Sequence, residues 1–309
     1  PDSETQRAPA LVKSRLIGRG WQGIVTFSFV DAAAERALDA DARPVAVQNP
    51  IASHLGVMRS TLLPGLIGVL AANIAQGARR ARIFEYGRVF ARGDRDGGSG
   101  DGDAYRQPLR VGGLAFGAAA PEQWGSATRA VDFYDIKADL AALLPQRRLE
   151  TPRLLHPELH PGRSAQVLID GVAAGFIGEL HPRVVRHFEL PAPAIVFEVD
   201  ATALQAASVP RAQPAARTPV VRRDLAIVVD ETVSAADVMA AARAASPPFV
   251  GEIALFDVYR GKGIDDGKKS LAILVLMQDT ARTLTDADID GAMHGITRAL
   301  VDHCGGTLR

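Results

Sequence analysis

Residues 249–278 read FVGEIALFDVYRGKGIDDGKKSLAILVLMQ, and this stretch decides the fold of the C-terminal third. Two runs rich in β-branched and aromatic residues, Phe249–Tyr259 and Lys269–Gln278, flank a loop punctuated by Gly261, Gly263 and Gly267, which predicts a pair of adjacent strands. Upstream, Arg223–Val229 predicts another strand, and Ser234 caps a predicted helix that runs through Val238 and Met239 to about Ala245. Downstream, Thr285 caps a helix whose Ile289, Met293, Ile296 and Leu300 share one face. Gly305-Gly306 ends it before a short strand at Thr307–Arg309. The predicted order is βαββαβ, a ferredoxin-like plan, which hosts many activities and assigns none by itself.

Before this region, residues 201–219 turn Ala-, Pro- and Gln-rich around Pro210, Pro214 and Pro219, and read as a linker. The expected division is 1–205, a linker at 206–216, and 217–309. Within the first part, a helix closes near Gly18–Gly20, Ile24–Val30 is β-rich, and Pro64-Gly65 open a helix through Leu66, Val69, Leu70 and Ile74. Strands are predicted at Arg82–Phe90 and Leu109–Phe116, and a helix at Asp132–Leu144. A hairpin spans Ser164–Ile177 and turns at Asp170-Gly171. Interleaved helices and hairpins favour an α+β fold with a mixed, largely antiparallel sheet. The Gly-rich segment Gly93–Asp103 predicts a surface loop joining two strands.

A length of 309 residues suits about two domains. No apolar run reaches the ~18 residues a membrane helix needs, so a soluble, cytoplasmic chain with no membrane partner is expected. The polar start, without an initiator Met, suggests that sequence upstream of Pro1 is missing. Cys304 has no second cysteine to pair with and reads as a free thiol. With 35 basic against 35 acidic residues, no global field draws the chain to nucleic acid, so any such binding must be local. Basic residues do gather late, at Arg217, Arg222, Arg223, Arg260, Lys262, Lys268 and Lys269.

Several apparent sites dissolve on inspection. Gly18, Gly20 and Gly23 have dinucleotide-loop spacing, yet a helix precedes and a strand follows, leaving no helix N-terminus for a pyrophosphate. His156, Glu158 and His160 lack zincin spacing and are interrupted by Pro157 and Pro161. Asp94, Asp96, Asp101 and Asp103 miss the positions of a calcium loop. Ser53-His54 and Cys304 sit in no nucleophile turn, so no catalytic or metal-binding residue is assigned. Asp257 and Tyr259 differ. Two residues apart on one strand, they share a face, and Ser270 opens the neighbouring strand. A ring, an acid and a hydroxyl rimmed by cations suit an unpaired base; a half-exposed sheet beside a solvated basic loop is the other reading.

Arg222–Val229, Leu255–Gly261, Lys269–Ala272 and Thr283-Leu284-Thr285 resemble successive motifs of the ferredoxin-fold anticodon-binding domain that closes the β subunit of bacterial phenylalanyl-tRNA synthetases. The resemblance implies that Asp257, Tyr259 and Ser270 engage the guanine at the first anticodon position of phenylalanine tRNA. Backbone contacts are expected from Arg222, Arg223, Arg260, Lys262, Lys268 and Lys269. Gly23–Asp31, Asn49-Pro50-Ile51, Met58–Leu66, Arg82–Glu85, Asp132–Lys137, His160–Ser164 and Gly178–Pro182 resemble the same family's class II synthetase-like module. That module departs from active class II cores. Gly87-Arg88-Val89-Phe90 runs into Ala91 and Gly93, without the expected ATP-binding arginine and glutamate, and Gly175–Gly178 runs into Glu179 and His181-Pro182. Lacking cations on the triphosphate, it is expected to be catalytically silent. The resemblance further implies packing on a catalytic α subunit in an (αβ)2 heterotetramer, no cofactor in this chain, and ATP and Mg used by the whole enzyme. A small-molecule sensor and a stand-alone class II ligase are the competing readings.

Overall fold

The computed structural model describes residues 6–92, 105–207 and 216–309. The chain divides into two compact units, Pro1–Val209 and Pro210–Arg309.

The first unit contains α1 (Pro9–Gly18), β1 (Gln22–Ile24), β2 (Phe29–Val30), α2 (Ala32–Leu38), β3 (Val57–Met58), α3 (Leu63–Ala75), β4 (Ala81–Arg88), β5 (Ala91–Arg92), β6 (Tyr105–Arg106) and β7 (Leu109–Phe116). It continues with α4 (Phe133–Leu143), β8 (Leu149–Glu150), β9 (Leu159–Ile169), β10 (Val172–Leu180), α5 (Pro182–His187), β11 (Ile195–Asp200) and α6 (Ala201–Gln205). A seven-stranded sheet runs in the order β1-β4-β7-β11-β10-β9-β8. Every neighbour pair is antiparallel except β1–β4. Helices cover both faces, so its central strands are apolar on both. In β7, Val111 and Ala115 face a core with Trp21, Ile136, Leu140 and Phe197, while Leu114 and Phe116 face a second core with Leu63, Leu66, Ile67 and Leu70. The β9–β10 turn is the expected one: Asp170 and Gly171 both take positive φ, 52° and 80°, as a two-residue hairpin loop of this hand requires. Asp132 and Asp135 form a capping box that starts α4.

Two expectations need correction. Ile24–Val30 is not one continuous strand; β1 ends at Ile24 and β2 begins at Phe29. Thr26 is drawn inward by charge. Arg59 and Glu85, both almost fully buried, pair at 2.8 Å; the Thr26 hydroxyl donates to Glu85 Oε2 at 2.6 Å and accepts from Arg59 Nη1 at 2.9 Å. Arg59 Nε also donates to the Arg88 carbonyl. Val25 and Phe27 consequently face outward, 93% and 75% exposed. Residues 201–205 are likewise no linker but helix α6, capped by Asp200, with Ala201 and Leu204 in the core. The Gly-rich segment, its aspartates and most of 206–216 lie outside the described residues.

The second unit contains β12 (Val221–Asp230), α7 (Ala235–Ala244), β13 (Val250–Tyr259), β14 (Lys268–Met277), α8 (Asp286–Cys304) and β15 (Thr307–Leu308). Its antiparallel sheet has the order β13-β14-β12-β15, the ferredoxin-like arrangement. One face, with Leu225, Ile227, Val229, Leu271, Ile273 and Val275, packs on Val238 of α7 and Ile289, Ile296 and Leu300 of α8. Ser234 and Thr285 cap the two helices as expected, and Gly305 closes α8 at φ 61°. The helix-free face is where the candidate residues belong.

Removing one partner of the Arg59–Glu85 pair leaves an uncompensated buried charge. Arg59→Ala and Glu85→Ala should each destabilise the chain by about 3–5 kcal/mol in denaturant unfolding, and the apolar double replacement Arg59→Met/Glu85→Leu should recover most of it. Single losses below about 1 kcal/mol, the range of a solvated pair, would contradict this account.

Glu158 gives a pH prediction. Burial, then repulsion from Glu198, Glu35 and Asp39, holds its carboxyl well above the usual range, while burial pulls His156 down. Glu158 Oε2 and His156 Nδ1 lie 3.9 Å apart, and neither has a hydrogen-bond partner among the described residues. A carboxyl raised in the fold favours the native state below its unfolded pKa of about 4.3, and that contribution is lost as pH rises toward the folded value. Glu158→Gln should therefore flatten part of the decline in stability as pH rises above about 4.3. An unchanged slope in unfolding midpoints would count against it.

Candidate nucleic-acid interface

The helix-free face is assembled by strand parity and one irregularity. In β12, Arg222, Asp224, Ala226 and Val228 alternate with the buried Leu225, Ile227 and Val229. In β14, Ser270, Ala272, Leu274 and Leu276 take the same side. On β13, Ile253 and Leu255 face the helices, so simple alternation would send residues 257 and 259 there as well. A β-bulge at Phe256 prevents it: Leu255 pairs with Ile273, but Asp257 pairs with Ala272 and Tyr259 with Ser270. The one extra residue shifts the register and turns Asp257 and Tyr259 onto the open side.

Asp257, Tyr259 and Ser270 are thus brought together, though not equally exposed. Tyr259 is 38% exposed, and its hydroxyl donates to the Lys262 carbonyl at 3.2 Å across the loop. Gly261, at φ 146°, permits this closure; a Cβ there would stand 3.1 Å from the tyrosine hydroxyl. Asp257 is exposed beside it. Ser270, expected to be exposed, is only 4% exposed. Arg309, its N–H bonded to the Ala226 carbonyl beside β15, places its guanidinium 5.0 Å from the centroid of the Tyr259 ring. Arginine and tyrosine thus approach each other although their strands lie at opposite edges of the sheet.

The predicted cations do not form one patch. Lys269 shares the helix side with its partner Val229; it is 8% exposed and its ammonium donates to the Glu231 carbonyl at 2.8 Å, which removes it from the surface. Arg222 and Arg223 are successive residues and point to opposite faces. Arg222 pairs with Asp224 at 3.0 Å and lies 6.0 Å from the Phe256 ring, while Arg223 donates to the Arg222 carbonyl. Arg260 pairs with Glu231 at 2.7 Å and Lys268 with Asp265 at 2.8 Å, which raises the Lys268 ammonium and lowers the Asp265 carboxyl. Lys262 is exposed on the loop beside the ring. Arg309 was missed from sequence, because its part depends on which strands lie at the two edges rather than on any local motif.

In the first unit, Asp139 is the hub of a charged cluster. It accepts from Trp21 Nε1 at 2.9 Å and pairs with Arg19 at 2.5 Å and with Arg82. Nearby, Arg129 pairs with Asp135 at 2.6 Å and Arg163 with Glu179 at 2.8 Å. These pairs line two open cavities of about 530 Å³ each, to both of which Tyr134 contributes. Of His156, Glu158 and His160, the first two lie 3.9 Å apart, while the His160 ring accepts from the Gly162 N–H at 3.0 Å. Burial raises the Cys304 thiol, which therefore stays protonated at neutral pH.

Comparison with known proteins accords with both units. Residues 1–201 match the family described as phenylalanyl tRNA synthetase beta chain CLM domain, and residues 216–309 the ferredoxin-fold anticodon binding domain. The phenylalanine–tRNA ligase beta subunits of Thiobacillus denitrificans and Aromatoleum aromaticum are 46% and 47% identical to it, over 306 and 310 residues, covering 99% of this chain in each case. The chain spans 38% of the length of each of these relatives. Matched along nearly its whole extent, it belongs to the phenylalanyl-tRNA synthetase β-subunit family and carries that family's ferredoxin-fold anticodon-binding domain.

Proposed function

We propose that this chain is a non-catalytic, tRNA-binding portion of a phenylalanine–tRNA ligase β subunit. Its ferredoxin-like unit grips the anticodon, and its first unit packs on the catalytic α subunit within an (αβ)2 assembly in the cytoplasm. The observation that carries the reading is the bulge-set juxtaposition of Asp257 and Tyr259 on a sheet face free of helices. A base stacked on the tyrosine ring would present its edge to the carboxylate, which accepts from guanine N1–H and N2–H. Lys262, beside the ring, is the best placed of the predicted cations for a phosphate; Lys268 is already engaged by Asp265, and Lys269 is buried.

The first unit supports the silent role through its arginines. Arg82, Arg129 and Arg163, which line the sheet-face cavities, are committed to Asp139, Asp135 and Glu179, so each meets a protein carboxylate where an adenylate-forming site needs a free cation. ATP and Mg would then be used by the α subunit. The outward strip of Val25, Phe27 and Phe29 is the surface best suited to that subunit, since exposed apolar groups in one row favour burial against a partner.

Tyr259→Ala should weaken binding of phenylalanine tRNA to the assembled ligase by about 1–3 kcal/mol, the worth of one aromatic–base stack. Undiminished affinity in filter binding would rule the anticodon site out. Phe27→Asp, an exposed substitution compatible with folding, should abolish co-purification with the α subunit while leaving the circular dichroism spectrum intact; retained assembly would place the interface elsewhere.

A further inference from the structure

We propose that two copies of this chain associate by exchanging arms. Trp124, at the tip of a hairpin that projects from the first unit, enters the cavity at the root of the other copy's hairpin, where Glu122 meets Arg153. The contact involves neither tRNA nor the ferredoxin-like sheet.

The arm is residues 117–131. Its two sides are joined by bridges at Ala118–Ala130 and Gln123–Ser126, and the Ala119 and Val131 N–H groups donate to the Arg129 and Gly117 carbonyls, both at 2.9 Å. The root is fixed. Arg80 donates to the Ala118 carbonyl at 3.0 Å, Arg82 to the Ala119 carbonyl at 3.3 Å, and Arg129 pairs with Asp135. Beyond the root, every residue from 120 to 130 is exposed and none belongs to either core. Trp124 is the one large apolar side chain of that stretch, and it stands fully exposed at the two-residue turn Trp124-Gly125. An indole left wholly in water forgoes the burial its apolar area favours, and tryptophan is among the side chains that most often anchor a protein interface.

Charge decides between a protein and a nucleic acid as the occupant. The only ionisable group within four residues of Trp124 is Glu122, which repels phosphate, and Arg129 is held at the root by Asp135. A protein surface is favoured, and this chain carries a matching one. A cavity of about 530 Å³ is lined by Val131 and Phe133, which directly follow the arm, and by Ala165 and Ile195. Of its two arginines, Arg163 is held through both oxygens of Glu179, whereas Arg153 is exposed and meets no carboxylate among the described residues. An apolar floor beside one uncommitted cation complements an indole with an acid two residues away.

The chain's own tip does not fill this cavity: Trp124 lies six residues from Ala118, so up to about 20 Å from the root, and is fully exposed. Two arms laid side by side in opposite directions bring each tip to the other's root. That is a closed two-fold contact, in which each copy supplies both the knob and the hole.

The test is sedimentation velocity on this 309-residue chain, with tryptophan fluorescence measured alongside. A reversible dimer is expected, with the emission of Trp124 moving to shorter wavelength as concentration rises; Trp21, already buried, should contribute no shift. Trp124→Ala should weaken dimerisation at least about thirtyfold. Glu122→Arg and Arg153→Glu should each weaken it about tenfold, and their combination should restore it. All three side chains are exposed, so the variants retain the fold. A chain that stays monomeric at every soluble concentration would overturn the proposal, as would a dimer indifferent to these substitutions. An emission shift that appears only when the α subunit or tRNA is added would assign the tip to that partner and overturn the exchange.

Discussion

A strand has two sides, and a side chain's side is decided by whether its position is odd or even from a fixed neighbour; both units of this chain are governed by that constraint. In the ferredoxin-like unit, the even spacing from Ile253 through Leu255 would carry Asp257 and Tyr259 into the helix-packed core, where an ionised carboxylate has no partner. One bulged residue, Phe256, resets the count. Helix packing and the exposed Asp257 and Tyr259 can then occupy the same ten-residue strand. In the first unit the same constraint acts through Thr26, whose inward turn toward Glu85 and Arg59 obliges Val25 and Phe27 to turn out.

Much of this was legible in the residues themselves, for local reasons. Asp170-Gly171 fixed a hairpin because both residues tolerate positive φ, and Ser234 and Thr285 marked helix starts because their hydroxyls satisfy free N–H groups. The ferredoxin-like order followed from such signals in succession. Features that depend on distant partners were not legible. Nothing local at Phe256 announces a bulge, and period-two reading of Leu255–Tyr259 reaches the shared face of Asp257 and Tyr259 but assigns no side. Lys269 reads as a surface cation until its pairing with Val229 places it beneath the helices. Arg309 gains meaning only from the sheet order, which sets its strand opposite that of Tyr259. Ala201–Leu204 looked like linker by composition, yet small apolar residues serve equally well where a helix packs against a crowded core.

Charge is distributed in keeping with a net of zero. Most cations near the candidate surfaces have carboxylate partners, so attraction for a polyanion is confined to a few positions and depends on geometry rather than on a broad field. Buried carboxylates act as fasteners. Glu198 on β11 accepts from the Thr61 hydroxyl and the Leu62 N–H, both at 2.7 Å, tying the start of α3 to the sheet; Asp139 ties α4 to the segment around Trp21. Each satisfies donors that would otherwise be stranded away from water.

The ion pair joined by Thr26 also sets how Val25 and Phe27 are presented. Those two side chains flank, in sequence, the threonine that bridges Arg59 and Glu85. Arg59 and Glu85 are each only 3% exposed, so their attraction already acts in a low dielectric, where Coulomb forces are strong. Loosening that pair would release Thr26 and, with it, the outward setting of Val25 and Phe27.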